Sequence, residues 1–118
     1  MPGKSNLSGL KCHIVSDSMH PVLKVGDWVT LEPVGSQESL KRFDLIVFKR
    51  ADRVVCHYLW RINQQLLPGT LVTRSLRSPH HDEFPVSFAD ILGRVTQKRI
   101  PAWTRAVLIL RTLLRGTT

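Results

Sequence analysis

From residue 11 to residue 96 the chain is a succession of short, β-branched apolar runs, each stopped by a turn signal. "KCHIV", "DWVTLE", "DLIVFK", "RVVCHYLWRI", "TLVTRS" and "DILGRVTQ" are the runs. Between them lie Val25-Gly26-Asp27, Gly35-Ser36, Ala51-Asp52, Pro68-Gly69 and the longer "SLRSPHHDEFP". Those turn residues favour reversal for backbone reasons, and the runs they separate suit strands rather than helices. The pattern predicts a mainly β protein of short antiparallel strands. With 118 residues there is material for one domain with a real core, and 42% hydrophobic against 22% charged residues marks a globular chain rather than a disordered one. No internal repeat or low-complexity tract interrupts it.

The last stretch follows a different period. After Pro101, "AWTRAVLILRTLLRGTT" fits a helical wheel on which Trp103, Ala106, Val107, Ile109, Leu110, Leu113 and Leu114 share one broad face. Thr104, Arg105, Arg111, Thr112 and Arg115 take the other, with Leu108 the one apolar residue among them. Pro101 suits a helix start and Gly116 a helix stop. The chain therefore divides into a β-domain over residues 1–100 and an amphipathic helical tail over residues 101–118. The ordinary use of such a helix is to pack its apolar face on its own domain. The alternative is a cationic helix lying on a membrane surface or docking on a partner.

Charge and cysteine usage narrow the function classes. Seventeen Lys and Arg against nine Asp and Glu give a formal charge of +8, which suits an anionic neighbour but names none. Nucleic acid is the least favoured, because the basic residues are dispersed and the 7% aromatic content supplies no stacking platform. Two cysteines, Cys12 and Cys56, do not make a disulfide framework. Each is followed by a histidine, at His13 and His57, but strand neighbours point to opposite faces, so neither pair suits one zinc ion. No metal or other cofactor is called for. The first residues hold no signal-peptide core and no run is apolar enough for a transmembrane helix, so the expectation is a cytoplasmic, possibly membrane-associated protein.

The chemistry-bearing stretch is "SDSMHP", residues 16–21. A serine hydroxyl is a poor nucleophile unless a base lies within reach and donors await the oxyanion. Ser18 precedes a turn that Pro21 stiffens, and Ser16, two residues earlier, is placed to donate toward an oxyanion beside the Ser18 N–H. His57 lies in a β-prone run that would hold its imidazole rigidly, and imidazole suits proton transfer near neutral pH. Asp82, in "SPHHDEFP", is the candidate to orient that ring. Asp27 and Asp44 read as turn residues and Asp90 as a strand start. On spacing alone, a Ser, His and Asp scattered through a β-protein are structural most of the time.

These boxes resemble type I signal peptidases. "SDSMHP" is similar to the family's Ser-Gly-Ser-Met-X-Pro box, and "VGDWVTLE", "LKRFDLIVFKR", "VVCHYLWRI", "LVTRSLRSPHHDEFPV" and "ILGRV" resemble its later segments in order, over about residues 10–96. The resemblance implies the β-rich serine peptidase fold shared with LexA-type self-cleaving repressors. It implies the branch with histidine in place of the catalytic lysine. On that matching Ser18 is the nucleophile, His57 the general base, Ser16 the oxyanion-hole serine and Asp82 the downstream aspartate. The implied substrate is a peptide or protein with a small apolar residue before the cleaved bond.

The chain departs from the family's pattern at Asp17, which replaces a glycine, and at Ser75-Leu76, which replaces a Gly-Asp pair. Tyr58 stands where an arginine usually follows the base, and Asp82 falls one residue late. A second reading stays open beside the peptidase: an inactive β-domain of the same fold that binds a protein or a membrane.

Overall fold

The structure, a computed structural model, describes residues 10–63, 70–78 and 80–116. The expected Pro68-Gly69 turn and residues 1–9, which the sequence reads as lacking a signal-peptide core, lie outside them. Among the described residues seven strands form one antiparallel sheet: β1 (Lys11–His13), β2 (Trp28–Glu32), β3 (Leu45–Arg50), β4 (Arg53–Asn63), β5 (Thr70–Arg74), β6 (Val86–Ser87) and β7 (Ile91–Val95). Their spatial order is β1-β2-β7-β3-β4-β5-β6. The fold class is the mainly β architecture that the run-and-turn pattern predicts. All six expected runs contain a strand, and β6 is an addition hidden at the end of the long His-rich loop.

Strand β3 explains its own composition. Leu45, Ile46, Val47 and Phe48 are buried in succession. Leu45 and Val47 join one apolar cluster with Leu31, Tyr58, Trp60 and Val95, while Ile46 and Phe48 join another with Leu59, Leu71 and Val86. A central strand covered on both faces reads as a continuous apolar run rather than an alternating one. β3 and β4 are joined by the two-residue turn Ala51-Asp52, with Arg50 opposite Arg53. Asp27 and Asp44 are turn residues, as expected: their carboxylates accept from the backbone N–H groups of Lys24 at 2.9 Å and Lys41 at 2.8 Å.

The C-terminal helix α1 (Ala102–Arg115) begins after Pro101 and ends at Gly116, whose φ of +75° suits glycine. Its boundaries agree with the sequence reading; its orientation does not. The face turned to the domain carries Leu108, packed against the larger apolar cluster, and Thr112, which is 3% exposed. Trp103, Leu110, Leu113 and Leu114 point outward, at 79%, 55%, 67% and 78% exposure. The expectation that the broad apolar face packs on the domain is therefore corrected. Buried Arg74 supplies the reason: its guanidinium stacks on Trp60 at 3.8 Å and donates to the Thr112 hydroxyl at 3.0 Å, so the polar stripe is the one that finds a partner.

Candidate active site

The two serines sit in the reversal between β1 and β2. The Ser16 hydroxyl donates to Ser18 Oγ at 3.2 Å, and the Ser18 N–H points back to Ser16 Oγ at 3.4 Å. Met19, 1% exposed, anchors the turn in the core. The Met19 carbonyl accepts from the Leu23 N–H at 2.9 Å, closing one tight turn. On the other side the Ser18 carbonyl accepts from the Leu76 N–H at 2.8 Å, which ties the serine turn to the segment after β5.

His57 stands on β4 where the ladder changes. Residues 53–57 pair with β3 on one side, but pairing with β5 begins only at Tyr58. Among the described residues the stretch up to His57 thus has one open edge. Across it, the Asp82 N–H donates to the Thr73 carbonyl at 2.8 Å, which holds the His-rich loop against β5. Asp82 Oδ2 then accepts from the Thr73 hydroxyl at 2.6 Å and lies 2.5 Å from His57 Nδ1. The His57 and Asp82 side chains are 16% and 13% exposed, so the pair is largely shielded from screening water.

Burial alone would push the Asp82 carboxyl upward. Hydrogen bonds from His57 and Thr73, with the positive charges of His57 and Arg50, outweigh it and hold the group below the usual carboxylate range. An ionised Asp82 on Nδ1 fixes the tautomer that leaves His57 Nε2 free to accept a proton.

Ser16, Ser18, His57 and Asp82 all line one groove of about 1000 Å³. Its floor is apolar, with Met19, Leu23, Leu31 and Val47. The fold therefore brings all four sequence candidates to one cavity from the β1–β2 turn, β4 and the β5–β6 loop. Among the described residues no hydrogen bond joins Ser18 to His57; the Ser18 hydroxyl is engaged by Ser16 instead. Cys12 and Cys56 line the groove too. Burial, with Cys12 close by, pushes the Cys56 thiol up to about 12, and burial also raises Cys12, so both remain protonated and neither suits a thiolate nucleophile.

The odd acid at position 17 is accounted for by a second odd residue. Asp17 pairs with Arg77 at 2.9 Å, and Arg77 follows the Ser75-Leu76 departure. Both partners are about 60% exposed, so the pair adds little stability, but it gives the Asp17 carboxylate a neutralising partner. Thr73 and Arg50 are site residues that the sequence reading missed. Thr73 looks like an ordinary strand threonine, and Arg50 like a surface cation at a hairpin end. Only the register of β5 and the fold of the loop bring them to Asp82.

Comparison with protein-family models, with curated proteins and with solved structures returns no match.

Proposed function

We propose that the protein is a serine endopeptidase of the signal-peptidase type, working through an acyl-enzyme. The observation that carries this reading is the shielded Asp82–His57 pair sharing a groove with the Ser18 turn. His57 Nε2 takes the Ser18 hydroxyl proton as Oγ attacks the scissile carbonyl, and returns it to the leaving amine. Water then enters by the same route in reverse. The oxyanion donors on this reading are the Ser16 hydroxyl and the Ser18 N–H; the N–H now points at Ser16 Oγ at 3.4 Å, and a rotation of the Ser16 side chain away from it would free both for the tetrahedral oxygen. The edge of β4 from Arg53 to Cys56, which pairs with no strand among the described residues, offers backbone groups to an extended peptide, and the apolar floor receives its side chains.

The rival, an inactive binding domain of the same architecture, is favoured by one observation: the Ser18 hydroxyl bonds to Ser16 and not to the imidazole. The two separate cleanly. A library of soluble peptides with Ala, Gly or Ser before a randomised bond, analysed by mass spectrometry, yields products with wild-type protein. Ser18→Ala and His57→Ala each lower the rate by about a thousandfold or more. Cleavage that survives Ser18→Ala unchanged sinks the peptidase reading.

A further inference from the structure

We propose that α1 and the crevice beside it form a docking surface for an anionic lipid bilayer. A helix that serves only its own domain turns its apolar stripe inward, because exposing Trp and Leu to water is unfavourable. Here the reverse is built in. Thr112 is the buried residue of the helix, and its hydroxyl accepts from Arg74 while donating to the Leu108 carbonyl at 2.9 Å. Arg74 itself is 2% exposed and stacked on Trp60, so this anchor sets the helix's rotation from inside the core. The outward direction of Trp103, Leu110, Leu113 and Leu114 follows from it.

The second observation is the charge beside that face. A crevice of about 350 Å³ runs between the helix and the turn after Ser18, with Val22, Leu76 and Val107 among its apolar walls. Lys98, Arg99 and Arg111 stand around it, and among the described residues no Asp or Glu lines it. An apolar stripe bordered by cations matches a bilayer surface, where acyl chains lie beneath anionic phosphates and a tryptophan sits at the headgroup level. The helix, about 21 Å long at 14 residues, would lie in the interface rather than cross it. No described helix is long and apolar enough to span a membrane. Ser18 and Met19 line the groove, and the next residues, His20 and Pro21, line the crevice. A docked surface therefore lies one turn away from the groove.

The test is vesicle flotation with the full chain, using phosphatidylcholine vesicles and vesicles of phosphatidylcholine with one quarter phosphatidylglycerol. Binding to the anionic vesicles and much weaker binding to the neutral ones is expected, declining as salt is raised. The double variant Leu110→Glu and Leu114→Glu abolishes it; these side chains are exposed, so the urea midpoint should not move. Arg99→Ala and Arg111→Ala, made singly, each lower the affinity by about fivefold. Ser18→Ala binds like wild type, which keeps this result independent of any peptidase activity. No flotation, or equal flotation with both compositions, overturns the proposal. So does a dimer in light scattering that Leu113→Glu dissolves while vesicle binding is absent, which would assign the face to a second copy of the chain.

Discussion

The Asp82 carboxylate is the most heavily engaged acid of the groove, since one oxygen serves both Thr73 and His57. Its folded-state pKa lies below the unfolded value, so the unfolded chain binds the extra proton as pH falls. The stability it contributes is present above the ordinary carboxylate value of about 3.9 and is lost as pH drops through the folded value. Urea unfolding of wild type and Asp82→Asn should therefore differ most near neutral pH, by about 1.5–3 kcal/mol, and converge as pH falls below the ordinary carboxylate range. A gap that stays constant across that range would show that the carboxylate's charge is not what the site uses. Thr73→Val removes one of the two donors without touching the histidine. It should raise the Asp82 pKa, measurable by carboxyl-carbon NMR titration, and narrow the same gap.

Gly93 shows what the strands themselves demand. A Cβ added there would meet Leu31 Cβ at 2.8 Å and the Glu32 carbonyl oxygen at 3.1 Å, where β7 crosses to β2. Neither neighbour is the free end of a flexible chain, so Gly93→Ala should lower stability by about 1–3 kcal/mol in urea unfolding. The strands were legible because β-branched runs and turn residues act locally; the same holds for the ends of α1, set by Pro101 and Gly116. What escaped was long-range. A helical wheel finds the apolar side of α1 but not which side packs, and that was decided by Arg74, 38 residues away from Thr112 and in sequence an unremarkable strand cation. Strand β6 is two residues long and has no period to detect. The site candidates were legible as residue types in an ordered set of boxes. Their meeting in one groove was not, because it depends on the Ser18 carbonyl reaching Leu76 and on the Asp82 N–H reaching Thr73. Thr112→Val tests the helix anchor, with an expected loss of about 1–3 kcal/mol for leaving one buried guanidinium N–H unpaired.

Charge over the full chain bears on what enters the groove. The formal charge is +8, and along the groove Lys11, Arg50 and Arg53 stand against Glu83 and the already engaged Asp82. Three cations against two acids leave a small positive excess above a low-dielectric floor, so an acidic peptide should be drawn in faster than a neutral one. The attraction is long-range and screened with a Debye length of about 30 Å at 0.01 M salt, falling to about 8 Å at 0.15 M. On the peptidase reading, kcat/KM for a peptide with two Glu residues flanking the scissile bond should drop severalfold between those salt concentrations. The same peptide with Gln in place of Glu should hold nearly constant. Lys11→Ala with Arg53→Ala should remove most of the difference while leaving the neutral peptide unaffected, because neither side chain contacts the Ser18, His57 and Asp82 hydrogen bonds. If both peptides respond alike to salt, the groove is not steering by charge, and its selectivity must come from the apolar floor of Met19, Leu23, Leu31 and Val47 alone.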